Sequence, residues 1–336
     1  MRSGRIDTWP SYGYGGGGNQ GRHMRKIDVH HHILPSHYVQ TVGEGSIGSQ
    51  GSSGRVPAWS LEASIELMDT AGIDAAVTSI SSPGVDMLPP DEAAVLARWC
   101  NDFAAGMAVK HPKRFGFFAC LSMQAVEVAI HEAVRAFDEL GADGVCLLSN
   151  YGGRYLGDPA WSPLYEELDR RGAVVFMHPT APVAPVPIEG LSWSTLEFPF
   201  DTTRTIASLI FSGATARFPR IRWIFSHAGG AMPFLSGRVE LLLRNNPRLS
   251  ERIPLGFKAA LQPLYFDTAL SATPGHLGSM LAVVSPEHIL LGTDYPFGPK
   301  DTMMEAMRGL AALDLPEATR QGIESGNARL LFPLLA

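Results

Sequence analysis

From Arg25 onward, short runs of apolar, β-branched or aromatic residues alternate with longer Ala/Leu/Glu-rich segments whose apolar positions recur at helical spacing. The short runs are 26–29, 75–80, 115–119, 144–148, 173–177, 222–226, 264–267 and 289–292. Between them 61–70, 92–110, 126–140 and 164–171 read as helices, and Gly72, Gly141 and Gly172 stand where such helices should stop. The run Ala173-Val174-Val175-Phe176-Met177 is apolar at every position, as expected of a strand covered on both faces in a parallel sheet. Eight alternating units predict an α/β fold, a single-domain (β/α)8 TIM-type barrel. An open doubly wound sheet is the competing arrangement, but its GxGxxG turn after the first strand is absent. Two connections are long: 35–60 is Gly/Ser-rich and 179–199 is Pro-rich. Loops of that length serve as lids or pocket walls.

The first 23 residues stand apart from this rhythm. Residues 11–21 read SYGYGGGGNQG, without an apolar period, so 1–23 is expected to be a flexible Gly-rich leader to a barrel spanning 24–336. It has no apolar core of a signal peptide, and its glycine run lacks the GK[ST] of a phosphate loop. The whole chain of 336 residues carries 27 basic and 33 acidic side chains, a net charge of −6. That balance gives no electrostatic reason to bind nucleic acid. No stretch approaches the ~18–20 continuous apolar residues of a membrane span. Cys100, Cys120 and Cys146 are odd in number and lack CxxC spacing, which argues against a disulfide framework or a thiolate zinc cluster and fits a reducing cytoplasm.

Active-site side chains of such a barrel belong at the C-terminal ends of its strands. Four of the eight expected strands end in side chains that ligate metals. The first runs into Asp28-Val29-His30-His31-His32, the fifth into His178, the sixth into His227 and the eighth into Asp294 within GTDYP. On an extended chain His30 and His32 leave the same face and can reach one ion, while His31 points away. Taken singly, His178 or His227 reads as a core histidine and Asp294 as a helix cap. Their shared position at strand ends makes them a set. Imidazoles with one carboxylate suit Zn2+, with Mn2+ or Fe2+ as alternatives. The fourth strand ends in Ser149-Asn150, with no Lys or Glu to bridge a second ion, so one divalent ion is expected.

The segments IDVHHHILP, MHPTAP, SHAGGAMPFLSGR and LGTDYPFG resemble the signatures of the amidohydrolase superfamily. Within it they are similar to the metal-dependent non-oxidative decarboxylases, the branch of aminocarboxymuconate semialdehyde decarboxylase and γ-resorcylate decarboxylase. The stretch 150–241 looks most like members that act on 6-methylsalicylate. The resemblance implies a carboxy-lyase that protonates a ring carbon of a small hydroxylated aromatic carboxylate and then releases CO2. It implies His30, His32, His178 and Asp294 as metal ligands, His227 as the catalytic histidine beside the metal, and Asp294 also as the proton donor. Arg238 matches an arginine that in some relatives reaches the substrate carboxylate from a neighbouring subunit. Resorcylate-type relatives carry Glu in place of the first histidine, so His30 favours the zinc-using pattern over Mn2+. Asp267 is expected to orient a ligand or cap a helix. The likeness also implies a homodimer or homotetramer; the apolar run Leu241–Leu243 beside Arg238 is a candidate contact, although burial of that helix against the barrel is the simpler reading.

Trp59, Tyr151, Trp193, Phe198 and Phe297 fall in loops expected at the active-site end and are candidate aromatic walls. Arg204 is a candidate carboxylate binder, or simply a partner of Asp201. A metal-dependent hydrolase or lactonase is the competing function, because the same ligands can activate water. A barrel that keeps a closed, structural zinc is the non-catalytic alternative. A serine nucleophile of the α/β-hydrolase kind is excluded by the lack of GxSxG.

Overall fold

The computed structural model describes residues 26–335 apart from 52 and 299, so the expected leader, 1–23, lies outside the described residues. Each of the eight apolar runs carries a strand: β1 (Lys26–His32), β2 (Ile73–Ser79), β3 (Phe115–Cys120), β4 (Gly144–Leu148), β5 (Val174–His178), β6 (Arg222–Phe225), β7 (Tyr265–Asp267) and β8 (Ile289–Leu290). All pair in parallel with the next in chain order. The two edges meet where Val29 N donates to Leu291 O at 2.9 Å and His31 bridges to Tyr295, which draws the sheet into the expected barrel. Helices follow the strands in turn: α1 (Leu61–Ala71), α2 (Pro90–Lys110), α3 (Val126–Asp138), α4 (Ser162–Arg171), α5 (Trp193–Phe211), α6 (Met232–Arg244), α7 (Pro274–Leu281) and α8 (Lys300–Ala312). Among the described residues no helix is long and apolar enough to cross a membrane.

Local chemistry sets the helix ends. Ser60 Oγ accepts from Ala63 N at 3.1 Å to start α1, and Gly72 ends it in the left-handed region at φ +68. Two of the expected loops are shorter than the sequence suggests. The segment 35–60 contains the short helices Ser36–Val42 and Glu44–Gly48. The loop after β5 ends at Ser192, because α5 begins at Trp193 and carries Pro199 inside it. One turn after the proline, Thr203 Oγ1 donates to Pro199 O at 2.7 Å and accepts from Ala231 N at 2.9 Å, which ties α5 to the turn after β6. Trp193 and Phe198 therefore sit on a helix and not in a loop.

The barrel interior has two characters. Toward the N-terminal end, Ile27, Val29, Ala75, Val77, Phe118, Cys146, Val174, Phe176, Ile224 and Leu290 form one buried apolar cluster. The C-terminal segment closes that end with Ala328, Leu331, Phe332 and Leu335. An aromatic column climbs from there: Phe332 meets Phe118 at 5.7 Å, Phe118 stacks on Phe176 at 5.1 Å, and Phe176 meets the ring of His30 at 5.0 Å. Above Phe176 the interior turns polar.

Candidate metal centre and active site

β1 does not alternate simply. Asp28 lies opposite Ala76 and His31 opposite Thr78, so the step between them is one residue longer on β1 than on β2. This bulge keeps Ile27 and Val29 in the barrel interior and then turns His30 and His32 inward as well. Asp28 and His31 go outward together, where His31 Nδ1 donates to Asp28 Oδ2 at 3.0 Å and His31 Nε2 meets Ser64 Oγ of α1 at 2.6 Å. Strict alternation also pairs His30 with His32, but it would carry Val29 out of the core.

Five buried side chains converge under the C-terminal mouth. His30 Nε2 lies 3.0 Å from His32 Nε2, and Asp294 Oδ1 is 3.2 Å from each. His227 Nε2 is 3.6 Å from Asp294 Oδ2. The His178 ring centres 4.7 Å from that of His32 and 5.2 Å from that of His30. One donor atom each from His30, His178, His227 and Asp294 falls within 4.8 Å of all the others. That group takes His227 in place of the expected His32, whose Nε2 nonetheless stands 3.0 Å from His30 Nε2 and 3.2 Å from Asp294 Oδ1.

The outer ring nitrogens differ among these histidines. His30 Nδ1 donates to Asp267 Oδ2 at 2.8 Å, His178 Nδ1 donates to Pro179 O at 2.8 Å, and His32 Nδ1 meets Ser79 Oγ at 2.9 Å. Carboxylate and carbonyl oxygens only accept, so His30 and His178 in their neutral form carry the proton on Nδ1 and aim an Nε2 lone pair into the cluster. Lone pairs that converge repel unless a cation stands among them. This donor set fits a single divalent metal. The Nδ1 of His227 is buried without a hydrogen-bond partner among the described residues. Asp267 is the orienting carboxylate: besides His30 it accepts from His227 N at 2.9 Å and Ala269 N at 3.0 Å through Oδ1.

The electrostatics favour one positive charge beside Asp294. Burial alone would lower His30, but Asp267 and Asp294 more than offset it and lift the imidazole to about 10. Burial pushes His32 down to about 4, with the charge on His30 adding to the effect. Burial and the facing His32 and His30 hold His178 well below its ordinary value. For Asp294, burial acts upward, yet His227, His30 and His32 together hold its carboxyl well below the usual carboxylate range.

Backbone strain collects at the same mouth. The non-glycine residues with positive φ include His227 (+52), Ala228 (+57) and Asp294 (+63) in the site's turns, and Leu270 (+51) on the wall above. Such conformations cost about 1–3 kcal/mol each and persist only where the surroundings over-determine them. Asp294 is not at a strand end as expected, since the β8 ladder stops at Leu290 and the carboxylate rides a turn four residues on. Gly292 permits that path: a Cβ there would stand 2.9 Å from His30 Cβ and 3.1 Å from Asp267 Cβ.

A cavity of about 450 Å³ opens above the cluster. His178, His227 and Asp294 line its floor, and Phe198 and Phe297 line its walls. Phe198 stands edge-on to His178 at 5.9 Å and Phe297 edge-on to His32 at 5.6 Å. Gln50, Ser81, Ser194, Thr195, Ser271 and His276 add polar atoms that the sequence did not single out. Ser81 and Ser271 follow β2 and β7 closely, so the strand-end rule that found the histidines could have flagged them, whereas His276 comes from the first turn of α7.

The remaining expected substrate contacts lie elsewhere. Trp59 lines a separate hollow of about 970 Å³ with Trp99 and Phe103, carried there by its place just before the α1 cap. That hollow is the larger, but no metal-capable set lines it among the described residues. Trp193 stands edge-on to Phe198 at 5.3 Å and supports the wall from behind. Tyr151 packs on Trp161, and its hydroxyl accepts from Leu148 N at 2.9 Å, which ties down a small hairpin after β4. Arg204 turns to Glu197 and Asp201, 3.7 Å from each. Arg238 is exposed on α6 and does not line the cavity of its own chain.

An eight-stranded parallel barrel with a buried histidine–carboxylate set at its C-terminal mouth defines a metal-dependent barrel enzyme. The chain belongs to the amidohydrolase family, whose model matches residues 27–334. It is 36% identical over 317 residues to a 6-methylsalicylic acid decarboxylase of Penicillium expansum, covering 93% of this chain and 97% of that one. A crystal structure of an amidohydrolase II superposes with a TM-score of 0.83 at 27% identity, covering 92% of this chain and 99% of that one. The 5-carboxyvanillate decarboxylase of Novosphingobium aromaticivorans, solved with manganese and a nitrobenzoic acid, shares the fold with a TM-score of 0.82 at 22% identity, covering 93% and 96%.

Proposed function

We propose that this protein is a metal-dependent, non-oxidative decarboxylase of a hydroxylated aromatic carboxylic acid of the 6-methylsalicylate kind. The observation that carries the reading is the pairing of a buried, metal-capable histidine–carboxylate cluster with a cavity walled by Phe198 and Phe297. The near full-length likeness to a 6-methylsalicylic acid decarboxylase favours it over a hydrolase or lactonase.

In this reading His30, His32, His178 and Asp294 hold the ion and His227 is left for proton transfer. The tethered Nδ1 atoms of His30, His32 and His178, against the untethered Nδ1 of His227, support that division. A ligand set of three imidazoles and one carboxylate supports Zn2+ as the ion, one per chain, with Mn2+ as the alternative. A divalent ion held by these residues would supply positive charge to offset that of an acidic substrate, worth several kcal/mol by the usual magnitude.

Direct loss of CO2 would leave an aryl carbanion, so the ring carbon is protonated first. A C–H bond forms and aromaticity is lost. The C–C bond to the carboxylate then breaks, its electron pair restores the ring, and CO2 departs. Asp294 delivers the proton. At rest it is an anion, and the arriving carboxylate raises its affinity for a proton. His227, 3.6 Å away, passes that proton from solvent to Asp294 Oδ2. Phe198 and Phe297 hold the ring and exclude water from the mouth.

The exposed Phe234 (80%), Leu241 (59%) and Leu242 (51%) on the helix of Arg238 support a homodimer or homotetramer built on that face. The three free, buried cysteines support a reducing, cytoplasmic setting. The test is CO2 release from 6-methylsalicylate together with metal analysis. About one divalent ion per chain and stoichiometric 3-methylphenol are expected. Lactone hydrolysis without CO2 from any hydroxybenzoate would overturn the reading.

A further inference from the structure

Nothing in the β8 ladder fixes Asp294, because that ladder ends at Leu290. The turn that carries the carboxylate is instead bonded across the barrel seam to β1. Asp294 N donates to His30 O at 2.8 Å, and His32 N donates to Tyr295 O at 2.6 Å. Asp28 reaches the same turn one residue before Asp294. Its carboxylate accepts from Thr293 Oγ1 at 2.6 Å, Thr293 N at 3.1 Å, His30 N at 3.0 Å and His31 Nδ1 at 3.0 Å. Behind His31 stands Ser64 of α1, its Oγ 2.6 Å from His31 Nε2. Asp28, His31 and Ser64 are fully buried and Thr293 nearly so, which leaves no water to compete for these bonds.

We propose that His31, braced by Ser64 and acting through Asp28 and Thr293, is a positioning residue for Asp294. The inference rests on the reading of Asp294 as metal ligand and proton donor, and it assigns a task to the one histidine of the HHH run that the site itself does not use. The Asp28 carboxylate is fully subscribed: Oδ1 accepts from His30 N and Thr293 N, and Oδ2 accepts from His31 Nδ1 and Thr293 Oγ1. Removing the His31 donor leaves Thr293 Oγ1 as the one partner of Oδ2, so the carboxylate can tilt toward Thr293 and shift it. Asp294 sits in a left-handed turn with Oδ1 3.2 Å from two imidazoles, so a small shift of Thr293 changes both its reach and its aim. The order Ser64–His31–Asp28 copies that of a hydrolytic triad, but Ser64 lines neither cavity described above and has no substrate to attack. The chain transmits position, not protons to a nucleophile.

The experiment compares His31→Phe, His31→Gln and Ser64→Ala in the full-length protein loaded with Co2+. The readouts are the visible cobalt absorption, thermal unfolding of the metal-free protein, and kcat and KM. His31→Phe is expected to change the cobalt spectrum and to lower kcat by roughly 10–100-fold with KM within about 2-fold. His31→Gln, which keeps a donor toward Asp28, should recover most of that loss. Ser64→Ala should shift both readouts in the same direction by less than about 3-fold, being one bond further away. A His31→Phe protein that is less heat-stable yet matches the parent in cobalt spectrum and in kcat per folded molecule would overturn the proposal. If His31→Phe does not fold, Thr293→Val against Thr293→Ser decides it: a spectral change in the first alone supports the chain, and no change in either refutes it. A parent protein that binds Co2+ but releases no CO2 from any aromatic acid sinks the decarboxylase reading while the cobalt spectra still decide this one.

Discussion

Asp143 and Asp294 are carboxylates at opposite ends of one barrel, and their surroundings drive them in opposite directions. Asp143, half-buried just before β4, accepts a single backbone bond from Phe117 N at 3.0 Å, and burial raises it to about 6. Asp294 is also buried, yet three facing imidazoles hold it well below the usual range. The same contrast runs through the two ends as wholes. At the N-terminal end Ala328, Leu331, Phe332 and Leu335 fill the barrel with apolar volume, and a stray charge there is simply a cost. At the C-terminal end polar groups answer one another, and strained backbone is held in place by those answers. One end supplies stability and the other draws on it, so damage to each should register in a different measurement.

Asp294→Asn tests the upper end and should have the largest effect. Asparagine keeps the shape and tolerates the left-handed turn at φ +63 but cannot deliver the proton. The expected loss in turnover is about 10³-fold or more, with the unfolding temperature little changed. Near-normal CO2 release in that variant would remove Asp294 as the donor. Phe332→Ala is the mirror experiment. It empties the base of the aromatic column and should cost about 3–5 kcal/mol of stability, read by denaturant unfolding. The turnover of molecules that remain folded should stay at the parent value. A fall in turnover matching the fall in stability would mean that the two ends are not separable.

The sequence discloses the two ends unequally. All eight strands are legible because burial on both faces leaves continuous apolar runs such as Val174–His178, and no tertiary contact needs to be known to see them. The histidines are legible because the barrel rule turns strand ends into a list of candidates, and His30, His32, His178 and His227 do meet. The bulge in β1 is not legible. It depends on how many residues of β2 face Asp28–His31, a matter of register between segments far apart in the chain. The walls fare worst. Phe198 and Phe297 reach the cavity while Trp59 and Tyr151 do not, and nothing in their local sequence separates the four. Loop residues take their direction from what the loop packs on: Trp59 is led away by the α1 cap, and Tyr151 by its bond to Leu148. Pro199 misleads in the opposite sense, because α5 runs from Trp193 to Phe211 straight through it.

The smallest effect belongs to Asp143 and sharpens the contrast with Asp294. Its folded value of about 6 lies above the ordinary 3.8, so between those limits the folded protein binds more protons than the unfolded chain. Stability must therefore fall as pH rises from about 4 to about 6, and this contribution then stays flat at higher pH. Asp143→Asn isolates that contribution, since an amide oxygen still accepts from Phe117 N and no charge remains to be buried. The variant should gain roughly 3 kcal/mol at pH 7, gain little at pH 4, and lose that part of the slope between. Its turnover should be unchanged at both values, because no bond leads from Asp143 to the mouth. Parallel unfolding curves for parent and variant across pH 4–7 would show that the lower end answers its carboxylate after all, and that the two ends differ less than their pKa directions imply.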